Sequence, residues 1–433
     1  MAGLMAARVL TDHFDQVTVV ERDHLPAGAA GRKGVPQAFH AHTLLIRGKL
    51  ILEELFPGLS ADLTWHGAVE SDSSSDLIWH QHGVYKMRTP SGLVATSISR
   101  PLLEWRVREA LLREPKVRLL EGHRVTGLVA TPSRDRVVGV EVEPVDASVP
   151  VDATLLQADL VVEAGGRGTR APQWLEELGY GPVPVTEIRT NVAYSSRYFR
   201  LAGPAPDFNM CILMDQPPKT RVGVLFKVEG DRWLLTLQTM LDDTAPKDEE
   251  AMIAFARSLP GPQIARFLEQ AVPDSDIQAH RTPTNLRRHY EQMARFPEGL
   301  VVLGDACTSF NPRYGQGMTT AALGVVALRE CLDAAGEGVP AAGAPGFALG
   351  FQKALARAIA LPWQASTGED FAFPQVVGRR APGSGLINWF MRRIIRLTAV
   401  DRDALVGFLK VVHLLQPPTA LLRPRLLWRV FFG

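Results

Sequence analysis

Leu303-Gly304-Asp305-Ala306-Cys307-Thr308-Ser309-Phe310-Asn311-Pro312-Arg313-Tyr314-Gly315-Gln316-Gly317-Met318 is the stretch that decides the fold class of this chain. The run Leu300-Val301-Val302-Leu303 is uniformly apolar, as in a strand buried on both faces of a sheet. It delivers Asp305 to the sheet edge, and the loop beyond it turns into an apolar helix through Gly315 and Gly317, running to about residue 332. A carboxylate at the end of a buried strand can bond a polyol chain. The free N–H groups of a helix start, here Gly315 to Met318, can stabilise negative charge on a reduced ring.

Two further segments belong with it. Leu160-Val161-Val162-Glu163-Ala164-Gly165-Gly166-Arg167-Gly168-Thr169-Arg170 runs a strand into three glycines with two arginines among them, a loop that lets backbone approach a flat or anionic ligand. At the start of the chain, small and apolar residues from Ala2 to Leu10 read as a helix, and Val17-Thr18-Val19-Val20 as a buried strand ending in Glu21-Arg22-Asp23. Helix then buried strand is the unit of a doubly wound sheet. In a dinucleotide fold a glycine such as Gly3 borders the pyrophosphate, and an acidic residue at the end of the next strand, Glu21 here, holds the ribose.

The rest of the chain fills in an α/β architecture. Helices are expected over 42–54, 101–113 and between 249 and 271. Strands are expected within 77–96 and over 117–129, 137–142 and 154–162. An antiparallel set is expected over 191–201, 210–214, 222–228 and 233–240. Residues 334–346 read as a loop, and the last hundred residues as mostly helical. With 433 residues, 46% of them hydrophobic and 21% charged, the chain can bury a large core, and a net charge of +1 gives no footprint for nucleic acid. Three widely spaced cysteines, Cys211, Cys307 and Cys331, form no disulfide framework or zinc knuckle, so the expected compartment is the reducing cytoplasm. His289-Tyr290-Glu291 stands without companion ligands, so no metal is expected, and no Gly-x-Ser-x-Gly elbow marks a hydrolase. No charge-free run of 18 apolar residues predicts a transmembrane helix, and the first residues do not read as a secretory signal. Residues 379–433 hold ten Lys/Arg against two Asp, a net of +8 that leaves about −7 on the remainder. Helices over 386–397 and 421–432 are amphipathic, basic and aromatic. They fit either a helical cap over the substrate sheet or a peripheral contact with an anionic membrane.

Together the three glycine-bearing segments resemble the FAD-dependent monooxygenases of the aromatic hydroxylase type, the single-component class. Gly34-Val35-Pro36-Gln37 followed by His40 and His42 resembles a bacterial subgroup related to squalene and polyether epoxidases. The resemblance implies a doubly wound, glutathione-reductase-like FAD domain (1–70, 100–182 and 285–345), an antiparallel substrate sheet (71–99 and 183–284) and a helical C-terminus (346–433). It implies cofactor contacts from Gly3, Glu21, Arg22, Arg100, Val125, Gly166, Gly304 and Asp305. Pro312, Gly315, Gln316, Gly317 and Met318 would lie near the flavin ring. On the substrate side it points to Arg47, Tyr194, Tyr198, Met210, Phe226, Trp233 and Tyr314, most of the sheet residues being expected in the core. His40 stands either at the flavin or in a cap or core.

The implied chemistry is oxygenation of a hydrophobic small molecule such as a polyketide or terpenoid. NAD(P)H is the transient reductant and O2 the oxidant, acting through a flavin C4a-hydroperoxide. An FAD-dependent reductase of isoprenoid double bonds is the alternative, and a truncated, non-catalytic remnant bound to a membrane or partner is a reading of another class. Two departures stand out: Glu163 where the family has Asp, and Gly165 where Thr is common. The first strand and first two glycines of the phosphate loop are expected upstream of Met1, about ten residues of chain by ordinary strand length, and the chain as written is expected to bind FAD weakly.

Overall fold

The computed structural model describes residues 1–146, 153–334, 343–380 and 383–432; the 335–342 part of the expected loop lies outside them. In chain order the elements are α1 (Ala2–Leu10), β1 (Val17–Glu21), α2 (Ile46–Leu55), α3 (Leu59–Trp65), β2 (Val69–Asp72), β3 (Leu77–Gln81), β4 (Val84–Tyr85), β5 (Val94–Ser97), α4 (Arg100–Leu111) and β6 (Val117–Glu121). There follow β7 (His123–Ala130), β8 (Val137–Pro144), β9 (Thr154–Gln157), β10 (Val161–Glu163), α5 (Ala171–Glu177), β11 (Val185–Leu201), β12 (Met210–Met214), β13 (Val222–Val228) and β14 (Arg232–Thr239). Then come α6 (Glu249–Arg257), α7 (Gln263–Leu268), β15 (Ala271–Pro273), β16 (Gln278–Arg288), β17 (Leu300–Val302), β18 (Thr308–Ser309), α8 (Gly317–Asp333), α9 (Phe347–Asp370), α10 (Ser384–Leu397), α11 (Arg402–Val412) and α12 (Pro424–Phe432).

The floor of the molecule is a parallel layer made of two pairs. β1 lies beside β6 in register from Val17 opposite Val117 to Glu21 opposite Glu121, and β10 lies beside β17 with Val161 opposite Leu300. Their apolar runs are what a layer covered by helices requires. Leu300, Val301, Val302 and Leu303 are fully buried in a core shared with Met5 and Val9 of α1, Val107 of α4, Leu328 of α8 and Phe351 of α9. Among the described residues β1 pairs with β6 alone and β10 with β17 alone, and residues of both β1 and β10 line one cavity. The stretch expected as one strand over 154–162 is two. β9 pairs with β8 in a three-stranded antiparallel sheet, and the chain then turns at Ala158–Leu160 so that the Val161 N–H bonds the Gly299 carbonyl beside β17.

The roof is a nine-stranded sheet, ordered β18-β16-β11-β14-β13-β12-β3-β4 with β15 on β11. Side chains alternate across it. Phe199, Trp233, Leu235 and Leu237 point to α6 and α7, where Phe255 and Phe267 complete a core. Tyr194, Ser196, Thr236 and Gln238 have the opposite parity. The C-terminal helices pack on the β3–β4 edge: Phe408 of α11 meets Trp79 at 5.7 Å between ring centroids, and the Lys86 ammonium lies 4.3 Å from the Trp79 ring and 4.5 Å from the Phe408 ring. No helix of the described residues is long and apolar enough to cross a membrane.

Candidate functional site

One cavity of about 2110 Å³ runs between floor and roof. Its volume includes the gap between β1 and β10, since Val17 to Val20, Val161 and Val162 are among its lining residues. Glu21, Arg100 and Asp305, far apart in sequence, all face it.

The strand-to-helix loop after β17 is shaped by two glycines with left-handed backbone. At Gly304 (φ +66°) a Cβ would come within 2.7 Å of the Ala2 Cβ, and at Gly315 (φ +62°) within 2.8 Å of the Thr43 Cβ. Between them the Asp305 side chain is exposed on the cavity wall. Desolvation by the surrounding walls pushes its carboxyl above the usual range, against the pull of Arg100, the Met1 amino group and Arg167. α8 starts at the cavity wall, and among the described residues its first turn has no side-chain cap and the buried Gln316 Oε1 no hydrogen-bond partner. Asp370, at the end of α9 and fully buried, pins this loop. It accepts from Asn285 Nδ2 at 2.6 Å, Asn311 Nδ2 at 2.8 Å and the Tyr314 hydroxyl at 2.9 Å. Burial outweighs these donors and lifts its carboxyl to about 6.

At the other end a buried ion cluster borders the cavity. Arg32 reaches Glu21 at 3.0 Å, Asp23 at 2.9 Å and Glu104 at 2.9 Å, while Arg100 reaches Glu104 at 3.0 Å. Burial would raise Glu104, but the Met1 amino group first, then Arg100 and Arg32, hold it at about 2. Glu21 gives one oxygen to Arg32 and the other to the Asp23 N–H, which leaves lone pairs toward the cavity. Gly3, Arg22 and Val125 also face the cavity, with the Arg22 side chain mostly in solvent.

In the middle loop the longer Glu163 folds back, its Oε1 accepting from the Gly165 N–H at 2.9 Å. Gly166, at φ +82°, faces open space. Arg167 ties this loop to the roof, donating to the Thr284 carbonyl and the Ser309 hydroxyl, both at 2.8 Å, and to the Thr284 hydroxyl.

The roof end of the cavity is lined by His40, His42, Tyr194, Gln238, His280 and Thr282. Burial pushes His40 down to about 3, helped by His42 and His280, and pushes His42 down to about 4, helped by Arg100. The same desolvation lowers His280 and lifts Tyr194 to about 12, so all four rings are neutral at neutral pH. Of the residues named from sequence, Pro312, Gly315, Gln316, Gly317 and Met318 also line this cavity. Several others are not brought to it. Tyr198, Met210 and Phe226 pack into the sheet's own core with Leu234 and Val224. Trp233 lies on the far face under α7, because its odd position in β14 alternates away from Thr236 and Gln238. Arg47 and Tyr314 sit outside the lining; the Tyr314 hydroxyl is committed to Asp370. Gly304 is outside the lining as well, its backbone close against Ala2. Ser196, Thr236, Gln238 and His280 were not singled out from sequence. Thr236 and Gln238 stand out only as polar residues in the apolar run of β14, and Ser196 and His280 lie in strands of mixed character. Among the described residues no three His, Cys, Asp or Glu side chains gather as a metal site would need.

No family model matches this chain. Solved structures with the same fold include a triple mutant of the flavin-dependent brominase Bmp2 (TM-score 0.67, 14% identical, covering 98% of this chain and 95% of that one). They also include the p-nitrophenol 4-monooxygenase PnpA from Pseudomonas putida (TM-score 0.61, 18% identical, 94% of each chain). The chain therefore shares its fold with these two enzymes. A curated protein of Mycobacterium tuberculosis, Protein Rv3254, is 35% identical over 344 residues, which is 77% of this chain and 71% of its own length. The chain belongs to the same family as Protein Rv3254.

Proposed function

We propose that this protein is an FAD-dependent monooxygenase that uses NAD(P)H and O2 to hydroxylate or epoxidise a hydrophobic small molecule. One observation carries the reading: Glu21, the loop after β10 and the loop after β17 converge on a single cavity beneath an antiparallel roof. The residues present fit the cofactor. At Gly166, Gly168 and Gly317 the backbone faces open space, Asp305 offers a carboxylate for hydroxyls, and Gln316 Oε1 lacks a partner among the described residues. In this reading Glu21 and Arg100 hold the adenosine and phosphate end, Asp305 the polyol, and the uncapped start of α8 the electron-rich edge of the ring. When bound, FAD supplies the redox and oxygen chemistry. The chain binds, orients and excludes water, with the roof sheet closing the reaction off from solvent.

We include in the proposal a strand seated between β1 and β10, whose facing edges would both gain a partner. The discontinuous FAD domain, the substrate sheet, the epoxidase-like subgroup and a cytoplasmic setting also belong to it. So does peripheral contact with an anionic membrane. Trp428, Phe431 and Phe432 of α12 and Leu386 and Ile387 of α10 are exposed, the Trp389–Phe431 contact at 5.5 Å joins the two helices, and Arg393 stands over Trp389. Co-sedimentation with phosphatidylserine vesicles, lost in Trp428→Ser/Phe432→Ser, is expected; no sedimentation of the parent protein would remove this part.

The main test is the visible spectrum after incubation with FAD, followed by NAD(P)H oxidation and oxygen-18 incorporation with alkene and phenol substrates. Asp305→Ala is expected to weaken FAD retention by ~10- to 100-fold, the worth of a charge-assisted bond. A protein that holds no flavin under any condition overturns the proposal.

A further inference from the structure

His40, Ala41, His42 and Thr43 line the cavity and lead through the buried Leu44 and Leu45 into α2. The roof holds the start of this segment. The Ala41 N–H donates to Thr236 Oγ1 at 3.0 Å, Thr236 Oγ1 lies 2.6 Å from Ser196 Oγ, and Ser196 Oγ lies 2.8 Å from His40 Nδ1. Its middle rests on the loop before α8, where Thr43 lies close against Gly315. Its end is held by the far end of the chain. A helix start needs acceptors for its free N–H groups, and α2 has no side-chain cap of its own. His413, which ends α11, supplies them. The Ile46 N–H donates to His413 Nδ1 at 3.4 Å and the Arg47 N–H to the His413 carbonyl at 3.3 Å. Both bonds are long, so this grip is weak.

α11 is fastened unevenly along its length. The turn leading into it is tied to the chain that leaves β4: the Met87 N–H donates to the Thr398 carbonyl and the Arg402 guanidinium to the Pro90 carbonyl, both at 3.0 Å. Its middle covers Lys86 with Phe408. Lys86 is 7% exposed, with the Trp79 and Phe408 rings 4.3 and 4.5 Å from its ammonium. Its side-chain hydrogen-bond acceptor among the described residues is Gln81 Oε1, at 3.0 Å. The charge that acts on it is that of Glu369 in α9, which itself lies 3.3 Å from His82 in the β3–β4 turn. A buried ammonium without an ion-pair partner is costly. The trailing end of α11 passes through His413 into Leu414, whose φ of +55° is a left-handed backbone that leucine rarely adopts.

We propose that α11 is a strap over the body of the protein, hinged at its Thr398–Arg402 end, which opens as one piece and in doing so uncovers Lys86 and releases the cavity wall from His40 to Thr43. His413 is the positioning residue of this device, acting on the cavity through the start of α2. A proton on Lys86 works against closure. Burial under the strap pushes Lys86 from 10.5 down to about 7, against the pull of Glu369. Between those values the closed form binds fewer protons than the open one, so closure strengthens as pH rises from 7 toward 10.5. The His413 ring stays neutral and able to accept, since burial lowers it to about 4. The inference rests on the flavin reading only in taking this cavity as the cofactor site.

The test is amide hydrogen exchange of the full chain, read at Ile46 and Arg47 between about pH 6 and pH 9 and corrected for intrinsic rates. Protection in the parent is expected to rise by up to about tenfold per pH unit above 7. In Lys86→Met it is expected to be higher than in the parent at the acid end and flat across the range. His413→Ala is expected to lose protection at both amides and to retain FAD roughly tenfold more weakly, as its binding-competent form becomes the minor one. His413→Asn, whose side-chain oxygen can accept, is expected to restore both. Protection that does not change with pH in the parent, a slope that survives in Lys86→Met, or full protection in His413→Ala overturns the strap. Lost protection with undiminished FAD retention in His413→Ala overturns its link to the cavity. Failure of every variant and the parent to hold flavin counts instead against the monooxygenase reading, since exchange is measured on the protein itself.

Discussion

Replacing Asp370 with leucine is expected to destabilise the protein by about 3–5 kcal/mol in urea unfolding, the range for stripping one partner from a buried polar network. Three donors, Asn285 Nδ2, Asn311 Nδ2 and the Tyr314 hydroxyl, would be left inside the protein with nothing to bond. The damage reaches the site, because Asn311 and Tyr314 belong to the loop that leads into α8. Asp370→Asn separates charge from shape. The folded protein lifts this carboxyl from 3.8 to about 6, so between those values the native state binds more protons than the unfolded chain. Stability from this group is therefore greatest below about pH 4 and falls as pH rises to about 6, by about 3 kcal/mol at 1.36 kcal/mol per pH unit. The asparagine variant lacks that slope. A stability difference between parent and Asp370→Asn that stays constant from pH 4 to 7 would show that Asp370 does not titrate there.

Glu104→Ala is the second large effect, also about 3–5 kcal/mol near neutral pH. Arg100 is buried and has Glu104 as its ion-pair partner, whereas Arg32 keeps Glu21 and Asp23. The linkage runs opposite to that of Asp370. Glu104 is depressed from 4.5 to about 2 in the folded state, so its contribution is complete above about pH 4.5 and is lost as pH falls toward 2. The gap between parent and Glu104→Ala in urea midpoint is expected to narrow across that acid window. A gap that is the same at pH 3 and pH 7 would contradict the assignment.

What could be read from residues alone follows from locality. The 300–318 stretch contains its own strand, turn glycines and helix start, so its shape needs nothing distant. Trp233 could have been placed by parity, since it alternates with Leu234, Thr236 and Gln238 along one strand. Its aromatic character drew attention to it, but the same character makes it a core residue. The His40–Ser196–Thr236 chain could not be read, because its members are 156 and 40 positions apart and meet only once β11 and β14 are in register. Residues 154–162 misled for the opposite reason. Their β-propensity is continuous, but the partner changes from β8 to β17 partway along, and partner identity is a tertiary fact. Asp370 gave almost no signal: one more carboxylate at the end of a helix, until three donors surround it.

The pairing of β10 with β17 has a consequence for how the polypeptide is born. Val161 emerges from the ribosome about 140 residues before its neighbour Leu300, and β3 likewise waits for β12 from Leu77 to Met210. Until those late segments arrive, sticky apolar edges stand open, and non-local closure of this kind is slow. Synthesis of this protein should therefore lean on chaperones, and a stalled or severed nascent chain that ends before residue 300 should aggregate rather than fold.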